Sequence, residues 1–159
     1  MPRYAPQSVE SILFSFRYYN IGDIIHNRKK PIAAILLGLC FIDQAACFRY
    51  NKTATPQTFD NFIEKYLPMY VGINLATYVR GSLVHNYSGI GKFMLAWDAN
   101  FPFHHTEHNG QTVIGTHLFI INIIRAFRAF ERDAKGDKDI AKNMTAWSEK
   151  HPILVHTHI

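Results

Sequence analysis

The sequence predicts one all-α domain over residues 1–159, a bundle of about five to six helices with a small β-hairpin or loop inserted at about residues 91–114. Three observations carry this. Apolar residues recur every three or four positions through most of the chain. Thr, Pro and Gly fall where such segments start and stop. Only Lys92 to Ile114 alternates and multiplies turn residues.

The first helix runs from Ser8 to about Asn27, with Ile12, Leu13, Phe16, Tyr19, Ile24 and Ile25 as its inward set. The second starts at Pro31, a residue suited to a first turn, and continues through Ile35, Leu36, Leu39, Ile42, Ala46 and Cys47 to Tyr50-Asn51. It is apolar almost all round, broken by Asp43, Gln44 and Arg49, so it is expected at the centre of the bundle. Its longest apolar run, Pro31 to Ile42, is about half the ~20 residues a membrane span needs, so it reads as a core helix and no span is expected. Cys40 and Cys47 fall on one face, two turns or ~10 Å apart, too far for a disulfide, and read as reduced core thiols.

Thr55-Pro56 opens a third helix with a hydroxyl cap and a preset first turn, and Phe59, Phe62, Ile63 and Tyr66 form its buried stripe. Leu67-Pro68 stops it. A fourth is expected from about Met69 to Tyr87, ending at Ser88-Gly89. The alternating stretch then holds the strong hairpin signal Asn109-Gly110. A long helix follows from about Gly115 to Ala134, with Leu118, Ile121, Ile124 and Phe127 read as inward, closed by Gly136-Asp137. The last spans about Lys138 to Lys150, anchored by Ile140, Met144 and Trp147.

Seventeen Lys and Arg against twelve Asp and Glu give a net charge of +5, which suits a polyanionic partner. The cluster Arg28-Lys29-Lys30 reads as a solvated turn. Arg125, Arg128 and Arg132 are spaced to align on one face of the long helix, a basic stripe. The N-terminal residues Met1-Pro2-Arg3-Tyr4-Ala5-Pro6 lack an apolar signal core, which makes the cytoplasm the expected compartment.

The stretch richest in chemistry is Arg80-Gly81-Ser82-Leu83-Val84-His85-Asn86-Tyr87. A guanidinium binds phosphate by a fork of donors and an imidazole moves a proton near neutral pH, a pairing suited to phosphoryl chemistry. On a straight helix Arg80 and Tyr87 fall about 20° apart and His85 about 140° from Arg80. The site therefore needs either a distorted helix end or groups from two chains related by a two-fold axis. Gly81 suits the latter, since it lets another backbone or a ligand approach closely. In the bland alternative, Arg80 pairs with a carboxylate such as Asp43, an otherwise isolated charge in an apolar helix, and His85 is a satisfied core or helix-end histidine.

The spacing Arg80, four residues, His85, one residue, Tyr87 resembles the R-x4-H-x-Y motif of the HEPN superfamily. That resemblance implies a helical bundle working as a homodimer, with two copies of the motif facing each other across a cleft. It implies metal-independent RNA cleavage, often by toxins or defence components, with Arg80 and His85 catalytic, no cofactor, and in one subgroup a nucleotidyltransferase antitoxin that modifies the tyrosine matching Tyr87. Ser82, Asn86, Tyr87 and Arg125 are then candidates for substrate binding, with Asp43 and Gly81 supporting. Active members usually carry a polar residue after the arginine, where this chain has Gly81. The alternative is accordingly a non-catalytic HEPN-like module binding a nucleotide, RNA or a protein partner.

A rival reading places zinc or nickel at His104-His105-Thr106-Glu107-His108 with His117. In a strand, His104 and His108 would lie ~13 Å apart, too far to share an ion, so no metal is expected. His156 and His158 read as exposed tail residues. No glycine-rich phosphate loop or nucleophile elbow is present.

Overall fold

The computed structural model describes residues 6–76, 93–96 and 107–153, and its architecture is mostly helical. The first helix starts where Ser8 caps it, the Ser8 hydroxyl accepting from Ser11 N–H at 3.1 Å. Three continuous pieces follow: α1 (Val9–Ser15), a π-helical turn (Phe16–Ile21) and α2 (Gly22–His26). The π turn absorbs one extra residue, about 100° of rotation. On a straight helix Ile24 and Ile25 would lie about 80° and 180° from Phe16; the extra residue moves them to about 20° and 80°. Hence Ile24 is fully buried, whereas Ile25, expected inward, is 39% exposed. Phe16 meets Phe41, Phe48 and Phe130 edge-on, and these rings form the centre of the core.

Helix α3 (Pro31–Tyr50) ends at Asn51, whose φ of 51° is left-handed. It packs against α2, the π turn and the three helices that follow, as its all-round apolar character predicts. Among the described residues it is the one helix long and apolar enough to cross a membrane, and 56% of its most apolar window is buried inside the protein. Cys47 is buried but Cys40 is exposed, which corrects the reading of both as core thiols. The bundle covers α3 more completely around Ala45 to Phe48 than around Cys40.

Helix α4 (Pro56–Tyr66) is capped by the Thr55 hydroxyl, and its predicted stripe of Phe59, Phe62, Ile63 and Tyr66 is buried. The next helix does not start at Met69. Pro68–Tyr70 form a 3-10 turn, Gly72 and Asn74 take positive φ of 83° and 55°, and helical backbone resumes only at 75–76.

Strands β1 (Phe93–Ala96), β2 (Glu107–His108) and β3 (Gln111–Gly115) form a sheet in the order β1-β3-β2. The β2–β3 hairpin turns at Asn109-Gly110, with φ of 51° and 74°, the positive pair that signal implies. A parallel pairing of β1 with β3, Phe93 opposite Thr112, adds to the expected hairpin.

Helix α5 (Thr116–Gly136) follows β3 directly, and α6 (Lys138–Ser148) starts under the Asp137 carboxylate, which accepts from Asp139 and Ile140 N–H. Phe119, Ile120, Ile123, Ala126, Phe127 and Phe130 are buried. Leu118 is 37% exposed and Ile121 and Ile124 are half-buried, so the buried face is rotated from the predicted one. Leu118 to Ile121 are apolar in succession around a full turn of α5, and the notch at Gly38 on α3, which receives Phe119, selects the face that turns inward.

Candidate nucleic-acid interface

Helical geometry places Arg128 and Arg132 within about 60° of Arg125, along ~10 Å of α5. All three are exposed, so the predicted stripe lies on the surface of α5. The neighbouring carboxylate, Glu131, is committed: it accepts from Arg17 of the π turn and from Lys135 one turn on at 2.9 Å. Partial burial alone would raise the Glu131 carboxyl, but the hydrogen bonds and charges of Lys135 and Arg17 outweigh this and hold it below the ordinary range. Negative charge at the stripe is thereby neutralised and the three arginines stay open to solvent.

Across the Arg17–Glu131 link lies a feature the sequence reading passed over. Phe14 and Tyr18 are 59% and 63% exposed, and their rings stack at 5.9 Å with planes 8° apart. The edge of the Tyr18 ring meets Tyr19 at 5.1 Å. The signal was present in the periodicity, because Phe14 and Phe16 are two residues and so about 200° apart on one helix.

The segment leading to the motif is tied to α5 as well. Tyr70 is buried with its ring 5.6 Å from Phe119, and its hydroxyl accepts from Asn122 Nδ2 at 3.2 Å. Burial pushes that hydroxyl up, partly offset by the Asn122 bond, so it stays protonated. Asn122 is three residues before Arg125, and Leu75 and Ala76 are buried just ahead of Arg80. Arg80, Gly81, Ser82, His85, Asn86 and Tyr87 themselves lie outside the described residues. Asp43 is half-buried in the middle of α3.

A second polar cluster joins α3, α4 and α5. The Arg49 guanidinium lies over the rings of Tyr50 and Tyr66, 5.3 and 5.1 Å from their centroids, and donates to Tyr66 Oη, which donates to Asp133 Oδ2 at 2.9 Å. Burial, opposed by the Arg49 charge and aided by Asp133, pushes the Tyr66 hydroxyl up. The phenol joins guanidinium to carboxylate while Arg49 Nε stays buried without a hydrogen-bond partner, and the cluster is a latch between helices. Among the described residues no group of three or more His, Cys, Asp or Glu is placed to hold a metal; His104 and His105 lie outside them.

Compared with known proteins, the chain matches no family model, no curated protein and no solved structure.

Proposed function

We propose that this protein is a metal-independent endoribonuclease of the HEPN type, acting as a homodimer in the cytoplasm as a toxin or defence component. The observation that carries the reading is the Arg80, His85, Tyr87 spacing in a mostly helical, basic chain. The exposed arginines on α5 support it by offering RNA a cationic surface.

In this reading Arg80 holds the scissile phosphate and stabilises the charge that develops on it. His85 of one protomer takes the proton of the RNA 2′-hydroxyl as that oxygen attacks phosphorus, and His85 of the other gives a proton to the departing 5′-oxygen. Two copies of one histidine thus perform both proton transfers without a metal or other cofactor. Ser82, Asn86, Tyr87 and Arg125 contact the RNA, Asp43 positions Arg80, and Gly81 lets the second backbone approach. A nucleotidyltransferase antitoxin acting on Tyr87 is the corresponding partner.

Gly81, in a position usually polar in active members, favours a second reading: a non-catalytic module that binds a nucleotide, RNA or a protein partner at the same cleft. Incubating the purified protein with a mixed RNA pool in excess EDTA, beside Arg80→Ala and His85→Ala, separates the two. Cleavage by the wild type alone supports the nuclease. RNA bound but uncut by all three supports the module, and neither binding nor cutting overturns both RNA readings.

A further inference from the structure

We propose that the stacked pair Phe14–Tyr18 and the arginines Arg125, Arg128 and Arg132 form one platform for single-stranded RNA, bases stacking on the rings and phosphates held by the guanidinium groups. The proposal rests on the RNA reading above and extends it to a surface outside the motif.

Three observations carry it. The rings are the two most exposed large hydrophobic side chains among the described residues, and they already lie parallel, the arrangement onto which a base adds as a further layer. The segments that carry them are tied together: Arg17, which adjoins Tyr18 and lies one turn from Phe14, pairs with Glu131, which adjoins Arg132 and lies one turn from Arg128. Finally, Glu131 is held by Arg17 and Lys135 and does not cancel the stripe. Aromatic faces beside arginines that pair with no carboxylate among the described residues suit a strand that presents π-surfaces and phosphates together.

A second copy of the chain fits this face less well. A two-fold axis through the patch would set the stripe against itself, arginine facing arginine. An anionic lipid surface would satisfy the same charges, and it is an outcome of the test.

The test measures binding of a fluorescein-labelled, 2′-O-methylated RNA of about 12 nucleotides by anisotropy over a series of salt concentrations; the methylated strand lacks the attacking hydroxyl and stays intact. Full-length wild type, Phe14→Ala/Tyr18→Ala, Arg128→Ala/Arg132→Ala and Lys65→Ala are compared, each with its melting curve to establish folding. The ring variant is expected to bind at least about tenfold more weakly. The arginine variant should lose about 0.7 from the slope of log affinity against log salt for each charge removed. Lys65→Ala, which removes an exposed charge from α4, should keep both the affinity and the slope.

Wild-type binding that all three variants share would overturn the platform and leave the RNA reading standing. No binding by wild type would overturn the RNA reading, and the platform with it. Two further results would overturn the platform alone: a ring variant that is monomeric in sedimentation where wild type is dimeric, or ring-dependent binding to phosphatidylserine-containing vesicles with RNA affinity unchanged.

Discussion

A Cβ on Gly38 of α3 would lie 2.5 Å from Cε1 of Phe119 on α5, closer than any real contact, and 3.3 Å from Cγ1 of Ile123. Hydrogen alone fits between the two helices there. The ring cannot swing aside, because it is fully buried and abuts Tyr70. Gly38→Ala is therefore expected to destabilise by about 1–3 kcal/mol through overpacking, despite the ~1 kcal/mol that alanine gains in a helix interior. Urea unfolding measures this. In a Phe119→Leu background the same substitution should cost less, and an equal cost in both backgrounds would show that the contact does not matter.

Tyr66 is the middle member of the Arg49–Tyr66–Asp133 latch. Tyr66→Phe keeps the ring under the guanidinium but leaves Arg49 and Asp133 each short of a partner. We expect a loss of about 1–3 kcal/mol. The melting temperature should drop by roughly 2–4 °C per kcal/mol. An unchanged melting temperature would mean that water replaces the hydroxyl.

The lowered Glu131 carboxyl makes stability depend on pH in a definite direction. Ionised Glu131 is favoured by folding, so its contribution is complete above the ordinary unfolded value of 4.5 and is lost as the pH falls through the lower folded value. With Arg17 60% exposed, solvent screening keeps that contribution to about 1 kcal/mol or less. Glu131→Gln should lower stability by that amount above pH 4.5 and flatten the acid limb, so that the two curves converge at low pH. A parallel curve would refute the assignment.

The turn at Asn109-Gly110 needs two positive φ angles. Gly110→Val forces a β-branched side chain into the left-handed region at roughly 1–2 kcal/mol. Hydrogen exchange at the β3 amides should speed up in the variant while the amides of α3 stay protected. Uniform change in both would mean that the hairpin is not an independent unit.

For the proposed site, Arg80→Lys discriminates between charge and geometry. Lysine keeps the positive charge but not the fork of donors. RNA cleavage is expected to fall roughly 10²-fold. Retention of the full rate would reduce the role of Arg80 to a point charge.

Local signals decided most of the helical architecture. Pro31, Thr55-Pro56, Leu67-Pro68, Asn109-Gly110 and Gly136-Asp137 act through backbone dihedrals and caps within a few residues, so helix limits and the hairpin turn were legible without knowledge of the fold. The spacing of Arg125, Arg128 and Arg132 likewise carried the basic stripe, because three- and four-residue intervals share a helix face whatever the face meets. What the sequence could not express were choices made between elements. The face of α5 that turns inward depends on the notch at Gly38, more than 75 residues earlier. The full burial of Ile24 depends on a π turn whose extra residue brings it onto the face of Phe16, among Phe41, Phe48 and Phe130. The parallel pairing of β1 with β3, and the ion pair of Arg17 beside the Phe14–Tyr18 stack with Glu131 of α5, join residues distant in the chain. Such contacts are set by packing shape and charge in three dimensions, and a periodicity read along one dimension does not contain them.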